Sequence, residues 1–97
     1  MDENIMMLFP LPVPVIFAIH RLSTFGFEAY VVGGAVRDLL RGETPHDYDI
    51  ATSATPEEMK RVFDGYRTVE TGIKHGTLTV IVKGEPLEIT TYRVDGT

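Results

Sequence analysis

The sequence contains no cysteine, which excludes disulfide bonds and thiolate metal sites. Any metal ion must therefore be held by oxygen or imidazole ligands, a set that favours hard cations such as magnesium. Basic residues are also few, since nine lysines and arginines stand against fourteen acids, for a net charge of −5. Affinity for nucleic acids comes mainly from basic side chains that neutralise phosphates. We therefore do not expect these 97 residues to bind nucleic acid strongly by themselves.

No hydrophobic run is long enough to cross a membrane. The most apolar stretch, residues 5–19, is interrupted by three prolines and is too short to span a bilayer. Asp2 and Glu3 precede this stretch, where a secretion signal would carry positive charge. We therefore expect a cytoplasmic protein without a membrane partner.

The remaining composition, 43% apolar and 24% charged, is typical of a soluble globular domain. Apolar spacing and turn residues predict an α/β (α+β) domain with a small mixed sheet and helices packed on one face. Thr55 and Glu58 carry the signature of a capping box, and Met59, Val62 and Phe63 should face the core. The predicted elements are a helix at 15–24, a strand at 28–32, a helix at 35–41, a strand at 47–52, a helix from 56, and three strands, including 77–82 and 86–93.

Two adjacent glycines, Gly33 and Gly34, lie between a predicted strand and a predicted helix. The start of a helix has unpaired backbone N–H groups that attract phosphate, and glycine lets a phosphate approach without an intervening Cβ. Arg37, one turn further on, is placed to add a charge-assisted contact. The glycine pair is therefore a candidate phosphate cradle, and a simple tight turn is the alternative.

Asp47 and Asp49 are separated by one tyrosine near the start of a predicted strand, so their carboxylates should project from the same face. Close carboxylates repel each other unless a cation lies between them, and magnesium binds one or two carboxylates together with substrate phosphates. Glu88 alternates in the last strand with Leu87 and Ile89, which should face the core. If that strand neighbours the Asp49 strand, the three carboxylates converge on a site for two-metal chemistry. The alternative is a set of solvated acids at a strand end and on an edge strand.

Together these segments resemble the N-terminal head of bacterial class II CCA-adding enzymes (tRNA nucleotidyltransferases) and poly(A) polymerases, in the polymerase-β-like nucleotidyltransferase superfamily. The stretches that carry the resemblance are EAYVVGGAVRDLLRG, DYDIATSATPEEM, TGIKHGTLTVIV and EITTYRVDG, and they cover nearly all of residues 28–96. The resemblance implies a nucleotidyltransferase head fold. It also implies magnesium-dependent addition of CMP and AMP, from CTP and ATP, to the 3′ end of tRNA. Poly(A) addition and a non-catalytic nucleotide-binding module are the alternatives.

The same resemblance implies roles for individual residues. It assigns Asp47 and Asp49 to magnesium binding and, together with Glu88, to catalysis. The residues that it assigns to nucleotide phosphates are Gly33, Gly34 and Arg37. Lys74 and His75 fall in a loop that lies near the active site in the family, and they are either structural or adjacent to substrate.

Members of the family continue beyond the position of Thr97 with R-R-D-F and E-D-x-x-R segments, and then with a helical neck, body and tail that grip tRNA. We therefore expect residues 1–97 to be a truncated nucleotidyltransferase head. Such a head would reach the tRNA 3′ end through regions not present here, and we expect it to be inactive in isolation.

Overall fold

The computed structural model describes residues 11–32, 40–42 and 48–92. Most of the helix predicted at 35–41 lies outside these residues. None of the described helices is long and apolar enough to span a membrane. The described elements are helices α1 (Val13–Thr24) and α2 (Pro56–Val62), a 3₁₀ turn (Ile73–His75), and strands β1 (Ala29–Val32), β2 (Asp49–Thr52), β3 (Arg67–Val69), β4 (Thr77–Val82) and β5 (Glu85–Thr91).

The five strands form one sheet in the order β1-β2-β5-β4-β3. Strands β2 and β5 run parallel, and the other neighbouring pairs are antiparallel. Alternate residues of the strands are buried with residues of both helices in one apolar cluster. The helices therefore cover one face of the sheet, which we call the helical face, and the other face is the open face. The predicted mixed sheet with helices on one face is confirmed.

Helix α1 packs on the sheet through an apolar stripe of four residues. The spacing of the stripe, three or four residues, is the repeat that keeps side chains on one side of a helix. The helix begins two residues earlier than predicted, because a proline is tolerated in the first turn, where its missing N–H has no helical partner. The buried residues of the stripe are Val15, Ala18, Ile19 and Leu22.

The predicted capping box of α2 is confirmed. The Thr55 hydroxyl accepts a hydrogen bond from the Glu58 N–H at 3.2 Å, and the Glu58 carboxylate accepts one from the Thr55 N–H at 2.9 Å. Met59, Val62 and Phe63 are at most 1% exposed, as their spacing predicts. A helix of only seven residues is too short to be stable alone, so the cap and this buried side together hold it.

Arg21 joins the C-terminal ends of the two helices. Its Nε donates a hydrogen bond to the carbonyl of Val62, which has no partner within its own helix. The guanidinium also lies over the rings of Phe25 and Tyr66, 5.4 and 5.3 Å from their centroids. Arg21 therefore satisfies a helix end and fills the space between two aromatic rings.

Two glycines hold similar left-handed conformations in different surroundings. Gly84 (φ 80°) closes the hairpin between β4 and β5, and a Cβ added there would meet nothing within 4 Å. Gly76 (φ 81°) precedes β4, and an added Cβ would lie 2.9 Å from the Cγ2 of Thr91. The backbone requirement is the same at both positions, whereas the close approach exists only at Gly76.

We expect Gly76→Ala to lower the free energy of unfolding more than Gly84→Ala does. The left-handed conformation costs about 1 kcal/mol at either position, and the contact with the stiff, β-branched Thr91 should add about 1–2 kcal/mol at Gly76 alone. Urea unfolding of the two variants measures the difference. Equal losses would show that the packing against Thr91 contributes nothing.

Candidate active site

The parallel pairing of β2 with β5 places Asp49 directly beside Glu88. The next residues of the two strands, Ile50 and Ile89, are also paired, and both are fully buried on the helical face. Because side chains alternate along a strand, Asp49 and Glu88 must project from the open face. Neighbouring strands lie about 4.8 Å apart, so the two carboxylates are neighbours. Convergence of these acids required the strand of Glu88 to be a neighbour of the strand of Asp49. In the structure the two strands are neighbours.

Asp49 and Glu88 stand in the middle of a row across the open face. Val32 pairs with Asp49 on one side, and Thr79 pairs with Glu88 on the other. Asp49 is half-buried and Glu88 is exposed. Val32 is the last residue of β1, so the chain enters Gly33 one strand away from Asp49. The carboxylate pair therefore lies next to Val32, the last described residue before the glycine pair in the sequence.

The other predicted site residues, Gly33, Gly34, Arg37 and Asp47, lie outside the described residues, and their roles stay predictions. Within residues 11–32, 40–42 and 48–92, no group of three or more His, Cys, Asp or Glu residues is placed to hold a metal ion. The described part supplies the pair Asp49 and Glu88. Two carboxylates suit a hard cation such as magnesium, which fills its remaining positions with water and phosphate oxygens.

Several short side chains lie around the carboxylate pair. Ala51, Thr77, Thr79 and Thr90 occupy the neighbouring open-face positions and are all half-exposed. The hydroxyls of Thr77 and Thr90 lie 2.7 Å apart and share one hydrogen bond, in which either can be the donor. The described open face therefore carries short polar side chains on the β4 side of the carboxylates and an exposed valine, Val32, on the β1 side.

Lys74 and His75 are exposed on the 3₁₀ turn before β4. Because the start of β4 pairs with the end of β5, the turn lies about four strand residues, roughly 13 Å, from Glu88. Ile73 anchors the turn against the core. The turn is thus structural through its apolar residue and its glycines, and a contact of the two basic side chains with substrate stays a prediction.

A network of hydrogen bonds joins the ends of three strands, and no local sequence motif indicates it. The Tyr92 hydroxyl donates a hydrogen bond to the Glu28 carboxylate, and its N–H donates to the Thr52 carbonyl at 3.0 Å. The Thr52 hydroxyl donates to the Glu28 carbonyl at 2.6 Å, and the Glu28 N–H donates to Ser53 Oγ at 2.9 Å. Sequence patterns missed this network because its members are up to 64 positions apart. It holds β1, β2 and β5 together at the end opposite Val32.

The hydrogen bond to the Glu28 carboxylate raises the pKa of Tyr92 above its ordinary value of 10.0. The folded protein therefore holds the phenolic proton more tightly than the unfolded chain does. The stabilisation that follows is complete below the ordinary tyrosine pKa and is lost as the pH rises through the higher pKa of the folded state. The network is thus intact throughout the neutral pH range.

The sequence of residues 29–97 matches the family described as Poly A polymerase head domain. The CCA-adding enzyme of Lactobacillus gasseri is 50% identical over 92 residues, which are 95% of this chain and 22% of that protein. The chain thus spans about a fifth of the length of the curated relatives that it matches.

Solved structures agree with this match. The crystal structure of the Bacillus stearothermophilus CCA-adding enzyme in complex with CTP has a TM-score of 0.77 and 45% identity, over 89% of this chain and 22% of that one. A tRNA nucleotidyltransferase complexed with a primer tRNA and an incoming ATP analog has a TM-score of 0.63 and 25% identity, over 82% of this chain and 24% of that one. The predicted nucleotidyltransferase head fold is confirmed.

We expect magnesium to raise the melting temperature of the chain, and Asp49→Asn to abolish most of this rise. Binding to the folded state alone stabilises it by about 1–3 kcal/mol when magnesium exceeds its dissociation constant tenfold to a hundredfold. Thermal unfolding with magnesium and with a chelator measures the effect. The matched control is Glu85→Gln. Glu85 is an exposed acid on the same strand as Glu88, but by its register it lies on the helical side of the sheet. An equal magnesium response in Asp49→Asn and the unaltered chain would exclude Asp49 as a ligand.

Proposed function

The chain belongs to the Poly A polymerase head domain family, and on this premise we propose that it carries the catalytic carboxylates for adding CMP and AMP, from CTP and ATP, to the 3′ end of tRNA. The observation that carries the proposal is the position of Asp49 beside Glu88 on the open face, next to the entry to Gly33. The relatives support the substrates, since their names and titles refer to CCA addition, CTP, an ATP analog and primer tRNA. With these substrates, the proposed location is the cytoplasm.

Magnesium is the proposed cofactor, with Asp47 and Asp49 as its ligands. Held by these carboxylates beside a triphosphate, a magnesium ion would supply activation of the 3′-hydroxyl and neutralisation of the charge on the pyrophosphate leaving group. Glu88 supplies a third negative charge on the neighbouring strand and faces the same space. The donor set consists of oxygen atoms alone, as this cation prefers.

The chain contributes to the reaction mainly by positioning the two reactants. In the proposed arrangement, the backbone N–H groups at Gly33 and Gly34 and the guanidinium of Arg37 bind the triphosphate. Asp49 and Glu88 then fix the place where the 3′-hydroxyl must arrive. Orientation of two reactants in this way accounts for a large part of catalysis in phosphoryl and nucleotidyl transfer.

Poly(A) addition is the second candidate function, favoured by the name of the matching family. It uses the same carboxylates and differs in the nucleotide selected. The relative solved with CTP favours CCA addition, because a poly(A) polymerase has no use for that nucleotide. Incorporation of both CMP and AMP by the full-length protein would separate the two activities.

We expect Asp49→Ala, and likewise Asp47→Ala, to lower nucleotide incorporation by the full-length protein by about 10²–10⁴-fold. Loss of a metal ligand removes several kcal/mol of stabilisation from the transition state. The measurement is the rate of CMP and AMP addition to tRNA that lacks its 3′ end, with Glu85→Ala as the control.

Full activity in either variant would refute the assignment. A full-length protein that binds ATP with magnesium but incorporates nothing would instead be a non-catalytic nucleotide-binding module. Amide signals of Gly33, Gly34, Asp47 and Asp49 in NMR spectra report such binding.

A further inference from the structure

Two exposed basic residues lie near one end of the sheet. Arg67 is the first residue of β3, and Lys83 lies in the turn between β4 and β5. Neither forms an ion pair with another residue of the described ranges, where Lys60 and Glu70 are the pair found. Both cations are thus available to a ligand as far as the described residues show.

Arg67 belongs to the open face. It pairs with Ile81 of β4, which lies two positions from Thr79, the neighbour of Glu88. Because every second residue of a strand points to the same side, the side chain of Arg67 projects from the same face as Glu88. The basic side chain and the carboxylate therefore face the same space.

The two basic residues also lie at the end of the sheet where the proposed site begins. Strands β2 and β5 are parallel and β1 is antiparallel to them, so the start of β5 and the end of β1 lie at one end. Strand geometry places the Cα atoms of Arg67 and Lys83 roughly 12–14 Å from that of Glu88, and roughly 8 Å from each other. An RNA strand whose 3′ end reaches Glu88 and which runs over this end of the sheet would pass the two cations after a few nucleotides.

The backbone at Lys83 adds an independent observation. Its φ of 52° makes it the one non-glycine residue with positive φ among the described residues. Asparagine or glycine is preferred at this position of a two-residue hairpin turn, and lysine is strained there by about 1 kcal/mol. Strain that persists where a better residue is available points to a function of the side chain.

We propose that Lys83 and Arg67 bind backbone phosphates of the RNA strand whose 3′ end is extended. This rests on the proposed function and names a contact surface for its substrate. The triphosphate is assigned to the glycine pair and the carboxylates, whereas the two cations lie further out and are spaced for neighbouring phosphates of one strand. Asp64 and Glu85 flank them and the net charge is −5, so the contact acts at short range and does not attract RNA from a distance.

The test is the salt dependence of RNA binding by the full-length protein carrying Lys83→Asn or Arg67→Gln. Each phosphate contact that is lost should reduce the slope of log affinity against log salt by about 0.7–1, and weaken binding several-fold at moderate salt. Lys83→Asn suits the left-handed turn, so an unfolded variant cannot explain its loss of affinity. The matched control is Arg61→Gln, an exposed basic residue of α2 on the helical side.

Unchanged slopes in both variants, in a protein that still incorporates nucleotides, would overturn this proposal and leave the proposed function standing. A raised KM for CTP with an unchanged RNA slope would also overturn it, because the cations would then belong to the triphosphate. A full-length wild-type protein that neither binds nor extends RNA would refute the proposed function itself.

Discussion

The parallel alignment of β5 with β2 is the constraint on which the site depends. It pairs Ile50 with Ile89 in the core, and so pairs Asp49 with Glu88 on the opposite face. A slip of one residue would turn a fully buried isoleucine outward and a carboxylate inward. Exposing that isoleucine costs about 1.5–3 kcal/mol, and burying an unpaired charge costs several more. The apolar core therefore fixes the position of the carboxylates, although the core has no part in the chemistry.

At the opposite end of the sheet, hydrogen bonds and a close backbone approach hold the same strands together. Tyr92, Glu28 and Thr52 join the ends of β5, β1 and β2 through hydrogen bonds, and Gly76 allows Thr91 to approach the turn before β4. These contacts are distant from the carboxylates, yet they limit how far the strands can shift against each other. A site whose groups are fixed before substrate arrives needs little reorganisation during the reaction.

Local features could be read from the sequence, because their causes are local. The capping box at Thr55 and the alternation of β4 each depend on residues within one element. The neighbour of β5 could only be stated as a condition, since strand order depends on how distant segments share the core. Strand β3 has only three residues, too few for a pattern that would predict where it begins and ends. The hydrogen-bond partner of Tyr92 lies 64 positions away in the sequence. The structure confirms the fold and pairs Asp49 with Glu88 in neighbouring strands, whereas the roles of both acids, and those of Asp47, Arg37 and the glycine pair, stay predictions.

In the proposed function, an acidic domain acts on RNA and faces an electrostatic conflict, because its carboxylates repel the phosphates that must approach them. A divalent cation at Asp49 would reverse the sign of the charge at that point, and Lys83 and Arg67 would offset it a few nucleotides away. Neither effect gives high affinity, since each phosphate contact contributes little at physiological salt and the net charge is −5. In the proposed function, this domain therefore determines where the bond forms, and most of the binding energy for tRNA has to come from surfaces other than these 97 residues.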